Sequence, residues 1–207
     1  MIRFFTWLVS SIIVWLRIGE IKIVGKENLP DKSVAYIVVS NHESYVDPAV
    51  IWKVIDRPVR FWMKTDIFFK YVDPLLVWLC RFLFGIIPVD RKKRGANPIT
   101  ESIPILEAGY CIAAFPSGSR KVQELSYKGS VQLAIDTGVP VIPMALDGTK
   151  GGANLVDFVK SGRISVTVVI GEPIFFSRNG STKKAQREQG LAQVAESIGR
   201  LREIAKM

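Results

Sequence analysis

Short apolar runs rich in β-branched residues recur along this chain, each leading through a turn into a stretch with helical periodicity. That alternation constrains the fold more than any other feature. Strands are expected over 21–24, 34–39, 59–64, 110–115, 139–146 and 163–170, and helices over 48–55, 98–107, 129–138 and 183–206. The prolines of the 139–146 strand belong at its start or on a sheet edge, because proline has no N–H to give to a ladder. Residues 67–83 are strongly apolar, but Lys70, Asp73, Pro74 and Arg81 interrupt them. They read as two short helices rather than a membrane span. Strands alternating with helices imply an α/β fold, with a single central, mostly parallel or mixed sheet flanked by helices. A chain of 207 residues suits one such domain, and it can bury a core of its own.

The domain is expected over 20–207, preceded by a membrane-interface helix over 1–19. The uncharged stretch from Phe4 to Leu16 reaches about 20 Å as a helix, short of the ~30 Å hydrocarbon core. On a helical wheel Arg3, Thr6, Ser10 and Arg17 form one narrow polar stripe, and Ser11 is the other polar residue among Phe, Trp, Leu, Val and Ile. A thin polar stripe, cationic ends and two tryptophans, Trp7 and Trp15, suit a helix lying in the interface plane of one leaflet. A signal peptide is the competing reading, but no small-residue cleavage site follows the apolar stretch. A tilted span, or a helix packed on its own domain, is also compatible with this pattern.

One turn carries the chemistry. The 34–39 run leads into Asn41-His42-Glu43-Ser44-Tyr45-Val46-Asp47, and Pro48 opens the next helix, which makes Asp47 a candidate N-cap. On a continuous helix His42 and Asp47 would point apart; in a strand–turn–helix corner they can converge. An imidazole titrates near neutrality, and one whose second nitrogen is held by a carboxylate is suited to general-base work. The simpler reading is a helix cap beside a structural histidine. His42 is the only histidine in the chain.

The net charge of +9 admits nucleic acid, an anionic membrane or an anionic substrate as partner. No nucleic-acid recognition motif accompanies it, so no nucleic acid is expected. The basic cluster at 91–94 would meet anionic lipid near a membrane. Cys80 and Cys111 have neither metal-ligand nor disulfide-framework spacing, and read as buried thiols in a reducing compartment. No metal or cofactor is implied. Walker A, Gly-x-Gly-x-x-Gly and Gly-x-Ser-x-Gly patterns are all absent, which argues against the nucleotide-binding and serine-hydrolase classes.

Four blocks in order resemble the glycerolipid acyltransferases of the 1-acylglycerol-3-phosphate acyltransferase (PlsC-like) family. They are Asn41-His42-x4-Asp47, Gly85-Ile86-Ile87-Pro88-Val89-Asp90-Arg91, Phe115-Pro116-Ser117-Gly118-Ser119-Arg120 and Val139-Pro140-Val141-Ile142-Pro143. The resemblance implies acyl transfer from acyl-CoA or acyl-carrier protein to a hydroxyl of a glycerophosphate-type acceptor, at the cytoplasmic face of a bacterial inner membrane. It makes His42 the base and Asp47 its partner. Arg91 and Arg120 would hold the acceptor phosphate, with Gly118 allowing close approach and Lys64 a further cation. Asn41 and Ser44 would shape the turn. Two departures stand out. Pro88 replaces an aromatic residue of the second block, and Ser117 replaces the glutamate of the third, followed by Lys121. Losing an anion and gaining a cation makes the pocket more positive. The soluble glycerol-3-phosphate acyltransferases carry a similar Pro-Ser-Gly-Gly-Arg variant. Lysophosphatidate is the expected acceptor, with glycerol-3-phosphate or another lysolipid as the alternative. A non-catalytic protein of anionic membrane surfaces is the reading from another class.

Overall fold

A computed structural model of the chain describes residues 12, 16, 18–44, 46–64, 85–89, 98–115, 120–152, 162–176 and 183–207. The interface-helix expectation lies outside these residues apart from Ile12, Leu16, Ile18 and Gly19, and the last two belong to a strand rather than to that helix. The two short helices expected in 67–83 and the basic cluster at 91–94 also lie outside them.

Seven strands form one sheet: β1 (Ile18–Val24), β2 (Ile37–Ser40), β3 (Val59–Lys64), β4 (Ile86–Val89), β5 (Cys111–Ala114), β6 (Val141–Asp147) and β7 (Ile164–Ile170). Their order across the sheet is β1-β7-β6-β2-β5-β3-β4. Four described helices flank it: α1 (Asp47–Ile55), α2 (Pro98–Glu107), α3 (Arg120–Thr137) and α4 (Lys183–Ala205). β6, β2, β5, β3 and β4 run parallel. β7 pairs antiparallel with β6 and parallel with β1, so β7 and β1 run opposite to the other five. This is the mixed sheet flanked by helices that the strand–helix alternation implies.

Successive side chains of each strand feed opposite faces. Val38 joins a core cluster with Val50, Ile51, Val54 and Ile55 of α1, all at most 4% exposed. Its neighbours Ile37 and Val39 face the other way, against Leu106 of α2, Val131 and Ala134 of α3, and Val194 and Ile198 of α4. Thus the connection leaving β2 crosses the face covered by α1, and the one leaving β5 crosses the opposite face through α3. Adjacent strands whose connections depart to opposite faces leave a crevice at their carboxyl ends, where α/β sheets bind ligands. In this chain that crevice lies between β2 and β5.

Several features differ from the sequence reading, beginning with β1, which starts at Ile18 rather than 21. β4 was not expected: it is four residues long with Pro88 inside, and only its place on the sheet edge makes that proline tolerable. α3 begins at Arg120 rather than 129; its first turns are polar and show little periodicity. Pro143 lies neither at a strand start nor on an edge, because β6 is flanked by β7 and β2. Its carbonyl oxygen accepts from Gly171 N–H, so its nitrogen faces the same side. There β7 has ended, and residues 171–173 bulge between the Met144–Ile170 and Val141–Ile174 pairs. The missing N–H falls where no ladder bond is due.

Candidate functional site

β2 ends at Ser40, and the next residue ties the turn down. The Asn41 side chain, 8% exposed, donates from Nδ2 to the Leu146 carbonyl at 2.8 Å and accepts at Oδ1 from the Leu146 N–H at 2.8 Å. An amide side chain thereby continues the β2–β6 pairing one step past the end of the strand and fixes where His42 starts.

Asp47 closes the turn from the other side. Its Oδ2 accepts from the backbone N–H groups of Glu43 at 2.7 Å and Ser44 at 2.8 Å, and lies 2.8 Å from His42 Nδ1. Asp47 is fully buried, and its Oδ1 has no hydrogen-bond partner among the described residues. A carboxylate oxygen can only accept, so the Nδ1 that faces it carries a proton, and Nε2 is the ring nitrogen left open to a substrate. This geometry corrects the N-cap expectation: Val46 occupies that position, without a side-chain cap, while the Asp47 carboxylate turns back into the loop. Ser44 shapes the turn as well, its Oγ accepting from Val46 N–H at 3.3 Å.

The imidazole is also held flat. Its centroid lies 4.6 Å from that of Phe115, stacked at 29°, and Phe115 stacks in turn on Phe61 at 6.0 Å. Phe115 follows β5, so the stack bridges the β2–β5 crevice. The His42 side chain keeps 35% of its surface exposed. Nε2 has no hydrogen-bond partner among the described residues. A ring fixed at one nitrogen and along one face, open at the other nitrogen, can exchange a proton with a molecule entering the crevice.

Of the other site residues read from sequence, Lys64 closes β3 and Arg120 opens α3, both at the end of the sheet that holds His42. Their side chains lie outside the described residues, as do Arg91, Ser117 and Gly118 entirely. Among the described residues, no group of three or more His, Cys, Asp or Glu side chains is placed to hold a metal ion, and no helix is long and apolar enough to cross a membrane.

Beyond the Asn41–Leu146 pair, sequence reasoning missed two contacts. The Phe115 stack joins two blocks that sequence reading treats separately. Arg202 of α4 places Nη2 3.3 Å from Glu43 Oε1, across a separation that no local pattern encodes.

Known proteins resemble this chain in sequence and in fold. Residues 20–147 match a family model described as Acyltransferase. The chain is 30% identical over 168 residues to a 1-acyl-sn-glycerol-3-phosphate acyltransferase of Bacillus subtilis, covering 79% of this chain and 78% of that one. It is 29% identical over 187 residues to the chloroplastic 1-acyl-sn-glycerol-3-phosphate acyltransferase LPAT1 of Arabidopsis thaliana, covering 86% of this chain but spanning 49% of that protein's length. The crystal structure of the 1-acyl-sn-glycerophosphate acyltransferase PlsC from Thermotoga maritima superposes with a TM-score of 0.63 at 25% identity, covering 97% of this chain and 78% of that one.

Proposed function

The chain belongs to the acyltransferase family, and on that premise we propose that it moves a fatty acyl chain from acyl-CoA or acyl-carrier protein to the free hydroxyl of 1-acylglycerol-3-phosphate, giving phosphatidate. Supporting the acceptor, the relatives are named 1-acyl-sn-glycerol-3-phosphate acyltransferases. The observation that carries the mechanism is the 2.8 Å contact between His42 Nδ1 and Asp47, with Nε2 left open. His42 Nε2 takes the acceptor's hydroxyl proton as that oxygen attacks the thioester carbonyl carbon. The tetrahedral intermediate then expels the thiolate, which recovers the proton from the imidazolium. Carbon–oxygen bond formation and carbon–sulfur cleavage balance, and the products are an ester and a thiol. Asp47 stabilises the transient imidazolium and fixes its tautomer. General-base assistance of this kind is typically worth ~10²–10⁴ in rate, and holding two substrates in line contributes much of the rest.

Arg91 and Arg120 bind the acceptor phosphate in this reading, with Gly118 and Ser117 lining its approach and Lys64 adding charge. Support comes from chain placement: Lys64 ends β3, Arg91 lies two residues beyond β4, and Arg120 begins α3. Lys64 and Arg120 stand at the carboxyl ends of the parallel strands, as His42 does, and Arg91 follows β4 closely in the sequence. Guanidinium groups suit this work because their planar fork matches phosphate oxygens. The Ser117 departure favours an acceptor with more negative charge and keeps glycerol-3-phosphate as the second choice.

The same sheet end is proposed to face an anionic membrane surface at the cytoplasmic face of a bacterial inner membrane, with residues 1–17 lying on the bilayer as a monotopic anchor. β1 runs opposite to β2, so its first residue, Ile18, lies toward the end of the sheet at which His42 sits. Ile12 and Leu16 are helical and 46% and 51% exposed. An acceptor with a hydrocarbon chain then reaches the base without leaving the leaflet.

The test is an acceptor panel with a labelled acyl thioester and products resolved by chromatography. Labelled phosphatidate formed from lysophosphatidate is expected. Labelled lysophosphatidate from glycerol-3-phosphate would reassign the acceptor. No transfer to any glycerophosphate would contradict the reading and favour a non-catalytic protein of anionic membranes.

A further inference from the structure

We propose that Arg202, on the C-terminal helix α4, is a positioning residue for the base, acting through Glu43 on the turn that holds Asp47 and His42. Residues 20–147 carry the family match, and α4 lies wholly outside it. Yet Arg202 meets the residue next to His42, 159 positions away in sequence.

Glu43 has two jobs at once. Its backbone N–H makes the 2.7 Å bond to Asp47 Oδ2, the same oxygen that holds His42 Nδ1. Its carboxylate turns inward, with the side chain 18% exposed, Oε1 3.3 Å from Arg202 Nη2, and Oε2 buried with no hydrogen-bond partner. Among the described residues no other cation contacts this carboxylate. A largely buried anion left uncompensated is costly, so without Arg202 the Glu43 side chain is driven toward water. Its backbone N–H then leaves Asp47, and the carboxylate that aims the imidazole loses one of its two backbone anchors.

Arg202 itself is set firmly. Val194 and Ile198 of α4 pack into one buried cluster, and Leu201 and Ala205 pack against Ala145 of β6 and Val169 of β7. The rigid helix therefore holds the guanidinium at a fixed height beside the turn. Arg202 is 42% exposed, and ion pairs with that much solvent contribute little to global stability. The consequence of losing it falls on the geometry of the base, hence on kcat, rather than on folding.

The proposal rests on His42 being the general base, and the experiment separates the two. Arg202→Ala, Arg202→Lys, the double variant Arg202→Ala/Glu43→Gln and His42→Ala are assayed as full-length protein with a labelled acyl thioester and lysophosphatidate vesicles, with Tm measured alongside. Arg202→Ala is expected to lower kcat roughly tenfold, mid-range for contacts coupled in one network, with KM within about twofold. Arg202→Lys recovers part of the loss. The double variant returns to within about threefold of wild type, because a neutral amide needs no cation. Wild-type kcat in Arg202→Ala beside an inactive His42→Ala overturns the proposal alone. A kcat loss that Glu43→Gln does not relieve overturns it too, as does one that merely tracks a lowered Tm. A fully active His42→Ala overturns the base assignment and this proposal with it.

Discussion

At the scale of single residues, the site is a histidine whose two nitrogens are made unequal by what surrounds them. Asp47 takes Nδ1, the Phe115 ring takes one face, and Nε2 stays open. The meeting of His42 and Asp47 was legible because it is local: a strand, a turn and a helix start force the two side chains into one corner. The rest was not. Nothing near Asn41 announces that its amide will find Leu146, 105 residues on, and Phe115 reaches His42 only because β2 and β5 are neighbours in the sheet. The cap reading of Asp47 failed because two turn N–H groups and an imidazole compete for the carboxylate at shorter range than the first helical turn. Asn41→Ala strips partners from both the Leu146 N–H and its carbonyl. Unfolding in urea should lose about 2–6 kcal/mol, since each of the two buried groups left unpaired costs ~1–3 kcal/mol. An unchanged midpoint would mean that the turn is anchored by other contacts.

At the scale of elements, the carboxyl end of β6 shows how tightly the turn region is built. Gly148 follows β6 with φ at 88°, and a Cβ there would collide with the Ser165 carbonyl oxygen of β7. Just beyond it Thr149 is fully buried. Gly148→Ala combines a disfavoured left-handed backbone with that collision, and should cost more than about 2 kcal/mol. A thermal scan showing wild-type Tm would refute the close approach. Element types were readable wherever periodicity was strong, as in α4, whose buried Leu201, Ile198 and Val194 recur at helical spacing. β4 escaped notice because four residues with an internal proline carry almost no signal. The start of α3 escaped because its first turns are polar.

At the scale of the whole molecule, the reversal of β7 and β1 against the other five strands is the organising fact. It brings the amino end of β1 toward the sheet end where β2, β3, β4 and β5 finish, so one end gathers the base, the proposed phosphate ligands and the proposed anchor. Hydropathy along the chain suggests a membrane-seeking amino terminus, and the strand directions put the start of β1 toward the sheet end that holds His42. Deleting residues 1–17 should move the protein from the vesicle pellet to the supernatant in a liposome sedimentation assay, while 18–207 keeps the wild-type circular dichroism spectrum. Full pelleting of the truncated protein would refute the anchor. The central claim is that one imidazole, aimed by Asp47, removes the acceptor's proton, and a single-turnover measurement of acyl transfer by His42→Ala on vesicles tests it most directly. The rate should fall by ~10²–10⁴ with vesicle binding unchanged, and transfer at the wild-type rate would contradict it.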